Sequence, residues 1–381
     1  MAWLYAQTRA GGRRHPGRAA DLLSRLGLVP PPNVVRVVGT NGKGTVTAMI
    51  AAGLGAEGER VGRFLSPHVE DFRERIAVDG DLIGEHEVAA FVTRRRGAQA
   101  LDQDTSPAFF EWTLALALEQ FARRGVGWGV FEAGVGGASD ATQVLNGPAL
   151  RLVVLTNVTE DHLDTLGPKL ADVARDKAGA AASGVPLVTA AQGDVLEVVR
   201  AVTEAKGAAL HVVDLPPGVS TRDANEALAR AALELLGRSQ KALDAATSLS
   251  PLPARGERFR VRDRLVVLDG AHDPAAAARL LAELPGEYTL LFGALARKQA
   301  TATLAVLAAG AREVVLTAAA EGDEPPAAPS GTAATTILDP QAALEAALDA
   351  TPPGSTVVIA GSLYLAGRLR SRLTSDAAAA R

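Results

Sequence analysis

Two kinds of apolar segment alternate along the first two-thirds of the chain. Short uninterrupted runs at Val34–Val38, Gly129–Glu132, Leu152–Thr156, Leu187–Thr189 and Leu210–Val213 have the length of strands buried on both faces. Between them, Val46–Ala56, Pro107–Arg123, Leu170–Ala182 and Asn225–Leu236 carry Ala and Leu at helical spacing. Strand then helix, repeated, predicts an α/β fold around a mostly parallel sheet. A second, shorter set of strands follows at Leu265–Leu268, Tyr288–Phe292, Glu313–Leu316 and Ser355–Ala360. Ser250-Pro251-Leu252-Pro253 reads as a linker between the two sets. Glu321–Thr335, rich in Pro, Ala and acid, reads as a surface loop, and the tail Ser375–Arg381 as a fraying end.

Length supports the division. A single core stops growing near about 250–300 residues, and this chain has 381. The partition expected is 1–246 and 247–381. Composition excludes whole classes of function. With 48% hydrophobic and 22% charged residues the chain is neither disordered nor collagen-like. The net charge of −4 argues against a nucleic-acid partner, since such binding runs on phosphate neutralisation. The absence of cysteine removes disulfides, thiolate metal sites and cysteine nucleophiles. Residues 1–20 lack the apolar stretch of a secretory signal, and no apolar run is long enough to span a bilayer. A cytoplasmic protein without a membrane partner is the expectation.

The chemistry-bearing residues follow the strands, at the edge where open α/β sheets bind ligands. After Val38 comes Gly39-Thr40-Asn41-Gly42-Lys43-Gly44-Thr45. Glycines there let backbone N–H groups wrap phosphate oxygens, while a helix start and a lysine supply positive potential. The spacing departs from G-x-x-x-x-G-K-[ST], because Gly44 separates the lysine from the hydroxyl of Thr45. Next come Gly62–His68 with Ser66-Pro67-His68, followed by Glu74-Arg75-Ile76. Glu132 ends a strand ahead of Ala133-Gly134-Val135-Gly136-Gly137, which suits a hard oxygen ligand for Mg²⁺. Asp161-His162 follows another strand; by itself that pair reads as acid/base or structural. Lys177, in Ala174-Arg175-Asp176-Lys177-Ala178, reads by itself as a solvated charge.

Taken in order, these motifs resemble the folylpolyglutamate synthase and dihydrofolate synthase branch of the Mur ligase superfamily. Gly-Thr-Asn-Gly-Lys resembles the opening of that superfamily's ATP site, and the Lys-Gly-Thr ending resembles this branch. The resemblance implies a parallel-sheet, P-loop-containing N-terminal domain and a smaller Rossmann-like α/β C-terminal glutamate-ligase domain. It implies ATP contacts from Asn41, Gly42, Lys43, Gly44, Thr45, Asn225, Arg255 and Asp269. It implies Mg²⁺ ligands in Thr45, Ser66, Glu132, His162 and a carbamylated Lys177, with K⁺ as a further candidate ion. Phe109, Phe110, Glu111, Asp140 and Ala141 would face the pterin, and Phe109 and Phe110 read equally well as helix-entry packing. His272 and Ser362 would hold glutamate, with His272 or Asp269 assisting its amine.

Departures are specific. Gly137-Ala138-Ser139-Asp140-Ala141-Thr142-Gln143 keeps Asp-Ala-Thr but has lost the pattern's Arg, Leu and Asn. Ala108 replaces a threonine, Arg222 a glutamine, Ala254 a glycine and Asp273 an asparagine. The implied reaction joins L-glutamate to a folate through an acyl phosphate, in a monomer whose two domains close over a cleft. Whether dihydropteroate is also accepted stays open. The rival readings are another Mur-type amino-acid ligase, or a nucleotide-binding regulator that makes no amide bond.

Overall fold

The computed structural model describes residues 2–7, 16–96, 107–160, 163–216, 218–284, 286–295 and 299–379. The chain divides into two compact units. The first comprises residues up to 67 and 73–249; the second comprises 68–72 and everything from 250 onward. The short segment His68–Phe72 thus belongs with the second unit, although it lies far upstream of residue 247.

In the first unit α1 (Ala2–Tyr5) and α2 (Pro16–Leu26) precede β1 (Asn33–Val38) and α3 (Lys43–Ala56). Then come β2 (Val61–Phe64), β3 (Ile76–Val78), β4 (Asp81–Leu82), α4 (Glu85–Arg95), α5 (Phe109–Arg123) and β5 (Trp128–Glu132). β6 (Leu150–Leu155), α6 (Leu163–Leu166), α7 (Leu170–Ala178), β7 (Leu187–Thr189) and α8 (Gly193–Lys206) follow. β8 (Leu210–Val212), α9 (Thr221–Leu235) and α10 (Gln240–Thr247) complete it. Among the described residues the sheet runs β4-β3-β2-β5-β1-β6-β7-β8. It is parallel from β2 to β8, and β3 and β4 add an antiparallel edge.

β1 lies between β5 and β6 and is covered on both faces. Val35 and Val37 pack with Val46, Met49, Ile50 and Leu54 of α3, Leu228 and Leu233 of α9, and Leu243 of α10. At Gly53 an added Cβ would lie 2.6 Å from Leu233 and 2.8 Å from the Ala242 carbonyl, so the small residue permits the close approach of these helices. Arg36 points to the opposite face and is fully buried.

Several boundaries differ from expectation. Leu210–Val213 does not form a buried strand. β8 is the sheet's edge, and His211 and Val212 are exposed. α9 starts at Thr221, four residues before Asn225, because Ser220 caps it by accepting a hydrogen bond from Asp223 N. α5 starts at Phe109, and α7 stops at Ala178.

The second unit contains β9 (Glu257–Val261), β10 (Arg264–Leu268), α11 (Pro274–Ala282), β11 (Tyr288–Phe292) and α12 (Ala300–Ala308). β12 (Ala311–Leu316), β13 (Thr335–Thr336), α13 (Pro340–Ala350), β14 (Thr356–Ala360) and α14 (Leu363–Ala379) follow. Its sheet runs β13-β12-β11-β14-β10-β9, and only β9 is antiparallel to its neighbour. The alanine-rich tail is helical through Ala379, as its composition favours, rather than frayed from Ser375. No helix among the described residues is long and apolar enough to cross a membrane.

Candidate active site

The turn between β1 and α3 is built by its neighbour β6. Thr40 N donates to Asn157 O at 2.8 Å, and Asn41 N to the Asn157 side-chain oxygen at 2.7 Å. The Thr156 hydroxyl donates to Asn41 O at 2.7 Å. These contacts fix the loop that carries Lys43, whose Nζ lies 2.8 Å from Thr40 O, over the loop's own backbone. Gly42 has φ +83°, and a Cβ there would lie 2.3 Å from the Asn225 side-chain oxygen. Asn225 is therefore packed directly on the loop. Gly42→Ala should cost about 1–2 kcal/mol of stability from the left-handed backbone alone. It should also weaken ATP binding. Thermal melts and titration with a non-hydrolysable ATP analogue measure both.

A cavity of about 310 Å³ lies beside Asn157, lined also by Ala190, Gln192, Val195 and Leu215. Thr45 sits in the first turn of α3, half-buried.

Lys177 is 1% exposed, and its Nζ donates to Gly39 O at 2.7 Å. It is not a solvated charge; the helix presents it to the loop between β1 and α3. Beneath it Gly137 lies flat against α7, where a Cβ would meet Lys177 O at 2.4 Å and Asp176 O at 2.7 Å. This close approach accounts for the small residue after Gly136.

Glu132 is buried at the end of β5, and its carboxylate accepts a hydrogen bond from Ser66 N at 2.9 Å. The Ser66 hydroxyl in turn accepts one from Arg75 Nη1 at 3.0 Å. Glu132 and Ser66 are thus brought side by side, presenting a carboxylate and a hydroxyl, both hard oxygen donors that fit Mg²⁺. His162 lies outside the described residues. Among those described, no cluster of three or more His, Cys, Asp or Glu side chains forms a metal cage.

Near the expected pterin slot the structure gives several side chains internal duties. Asp140 is buried and accepts from Val135 N at 3.0 Å and Thr142 N at 2.8 Å. Ala141 opens the short turn that follows. Glu111 reaches back to Ala108 N at 2.5 Å and accepts from Arg18 Nε at 3.3 Å. Ala108, the helix cap, offers no side-chain hydrogen bond, so Glu111 does the capping. Phe109 is sandwiched: Tyr5 stacks on it at 5.3 Å and the Arg75 guanidinium lies 5.0 Å from its ring centre. Phe110 packs edge-on against Phe64 at 5.5 Å.

In the second unit the groups collect at the carboxyl ends of β10 and β14. Asp269 accepts from Gly256 N and Ala271 N, each at 2.7 Å. Gly270 N donates to Ala254 O at 2.9 Å, holding the Arg255 turn against this motif. Ala254 has φ +54°, the conformation that favours the glycine of the family pattern. His272 Nδ1 donates to Gly270 O at 2.8 Å, which in the neutral ring leaves Nε2 as the acceptor. Gly361 N bonds Ala271 O, placing Ser362 beside the same motif. The Ser362 hydroxyl accepts from Tyr364 N at 3.0 Å.

Burial pushes the Asp269 carboxyl up from its ordinary value of 3.8, opposed by Arg255 and the two N–H donors. Between 3.8 and the higher folded value, the folded chain keeps a proton that the unfolded chain has released. Stability therefore falls as pH rises through that window. Asp269→Asn removes this slope. Its melting temperature, relative to the native chain, should rise with pH above 3.8, while turnover falls. Parallel melting curves across pH for the two chains would contradict the assignment.

Sequence reading missed three supporting residues. Asn157 directly follows the Leu152–Thr156 run and Asp176 lies beside Lys177, yet their partners are in other segments: Asp176 accepts from Gly137 N at 2.9 Å and Ser139 Oγ at 3.1 Å. Arg36 lies inside an apolar run, and that break in pattern is the signal. Burial pulls its guanidinium down to about 10, against the pull of Asp140.

Residues 37–182 match the Mur ligase middle domain, and 254–363 the Mur ligase glutamate ligase domain. Fold and domain matches thus define a chain of the Mur ligase type, with a middle domain and a glutamate ligase domain. The chain is 32% identical to a probable bifunctional folylpolyglutamate synthase/dihydropteroate synthase of Halobacterium salinarum, over 96% of this chain and 50% of that one. It is 30% identical to the dihydrofolate synthase/folylpolyglutamate synthase of Escherichia coli, over 76% of this chain and 74% of that one. A crystal structure of bifunctional folylpolyglutamate synthase/dihydrofolate synthase from Yersinia pestis, complexed with AMPPNP and Mn ion, matches with TM-score 0.84 at 26% identity. That match covers 98% of this chain and 97% of the other. The chain belongs to the folylpolyglutamate synthase/dihydrofolate synthase family. It spans about half the length of several of its curated relatives.

Proposed function

We propose that this protein is an ATP-dependent ligase that joins L-glutamate to a folate through an acyl phosphate. The observation that carries the reading is the seating of Lys177 on Gly39, which joins a second motif to the phosphate loop within one unit. A plain nucleotide-binding turn has no need of a buried lysine beneath it. The named activities of the relatives, and the nucleotide and manganese in the Yersinia structure, point the same way.

In the proposed reaction a carboxylate of the acceptor attacks the γ-phosphorus of ATP, the bond to the bridging oxygen breaks, and ADP leaves. The amine of glutamate then attacks the acyl carbon, loses one proton and expels phosphate. Lys43 and the N–H groups of residues 41–45 hold phosphate oxygens, and Arg255 is the arginine that the family resemblance assigns to phosphate charge. Asn225 packs on the loop at Gly42 and would contact the nucleotide near its base. Ser66, Glu132 and Thr45 would hold Mg²⁺, which when bound neutralises phosphate charge. His272 Nε2, with its ring oriented through Nδ1, is the group suited to take the amine proton. Asp269 orients this turn, and Ser362 would meet glutamate.

Carbamylation of Lys177 fits the site: the carbamate nitrogen keeps one N–H for Gly39 O and adds two anionic oxygens beside the phosphate loop. K⁺, a monomeric state and a cytoplasmic location complete the proposal. The test is product mass after incubation with ATP, Mg²⁺ and L-glutamate, using dihydropteroate in one reaction and a reduced folate monoglutamate in another. An acceptor heavier by one glutamyl residue supports the reading, and its identity separates a polyglutamate synthase from a bifunctional enzyme. Unchanged acceptors, with ATP still bound, would favour the regulator.

A further inference from the structure

A fully buried arginine in the central strand of a parallel sheet is costly, because desolvating a cation takes several kcal/mol that hydrophobic packing would not. A valine would suit β1 at position 36 as it does at its neighbours. The guanidinium must therefore be held for what it touches. Its Nη1 donates to the Gln143 side-chain oxygen at 2.8 Å, the Asn146 side-chain oxygen at 2.5 Å and Ala180 O at 3.4 Å. Its Nη2 donates to Gly137 O and Thr142 Oγ1, both at 3.2 Å. Four of the five acceptors lie on the single turn from Gly137 to Asn146; the fifth is just past the end of α7.

That turn encloses Asp140 and Ala141, and Thr142 is shared: its hydroxyl also donates to Asp140 Oδ1 at 2.6 Å. The turn has no arginine of its own, since Ala138 stands where the family pattern has one, and its amide at 143 is Gln rather than Asn. Asp176 also holds Gly137 N and Ser139. Arg36 thus holds the carbonyl of Gly137 and Asp176 its N–H.

We propose that Arg36 is a positioning residue for acceptor recognition, setting the Gly137–Asn146 turn, braced from inside by Asp140, so that its half-buried Ala141 meets the pterin of the substrate. This rests on the reading of the protein as a folate ligase. Arginine is required rather than lysine, because a planar fork can serve acceptors on two nitrogens at once and a point charge cannot.

The test is steady-state kinetics of the full chain, varying the acceptor and ATP separately. Arg36→Ala should raise the acceptor KM about tenfold, while the ATP KM stays within twofold. Arg36→Lys should fall between Ala and the native chain, and added guanidinium should restore much of the acceptor KM of Arg36→Ala. A lowered melting temperature with an unchanged acceptor KM, or equal loss toward both substrates, would overturn the proposal and leave Arg36 a fold element only. Should Arg36→Ala fail to fold, Gln143→Ala decides: a raised acceptor KM alone supports the role, and an unchanged one refutes it. A native chain that glutamylates no folate-type acceptor would instead remove the underlying reading.

Discussion

Replacing Lys43 by alanine lowers ligation by about 10²–10³, the cost of losing one donor aimed at developing charge. The lysine opens α3, and its ammonium already lies over the phosphate loop, 2.8 Å from Thr40 O. Little reorganisation is needed to meet a phosphate oxygen. The loss should appear in kcat, because the charge it stabilises grows as the γ-phosphoryl group transfers. The fold should persist, since the side chain is only half-buried. Measuring kcat and KM for ATP in Lys43→Ala checks this, and turnover within threefold of the native chain would remove the phosphate-loop assignment.

Lys177→Ala is expected to be as damaging, for a different reason. Its side chain is buried under the loop, so alanine removes the hydrogen bond to Gly39 O and opens a hole beside it. The carbamate proposal adds a sharper expectation. The native enzyme should lose activity when CO₂ and bicarbonate are stripped and regain it on their return. Lys177→Ala should stay about 10²-fold slower under both conditions, by analogy with removal of one preorganised electrostatic group. Mass measurement of the intact native chain should show one carbon dioxide added at this lysine. Activity indifferent to bicarbonate, with an unmodified Lys177, would leave the residue as an ammonium that braces Gly39.

How much of this was legible in the sequence depended on how local each signal is. The turn from β1 into α3 could be read because its requirements are local: glycines at 39, 42 and 44, a lysine between two of them, and a strand before. Ser220 and Asp223 mark the start of α9 as plainly, while apolar spacing alone begins the helix late, at Asn225. Leu210–Val213 shows the opposite limit. An apolar run states that a strand can form, but whether it lies inside a sheet or at its edge depends on strands elsewhere. Glu111 matched a family position near the pterin, while its local meaning, a carboxylate capping its own helix, is what the structure displays. Arg36 was visible as a lone charge in a strand. Its partners lie 101 to 144 residues away, and no local rule could name them.

The central claim is that ATP cleavage here serves the activation of a carboxylate for amide formation with glutamate. The most direct measurement is ADP release with Mg²⁺, omitting glutamate or the folate-type acceptor in turn. The account predicts sustained release only when both are present, with one phosphate and one glutamyl product formed per ADP. Release that continues at the same rate without glutamate and without acceptor would contradict it.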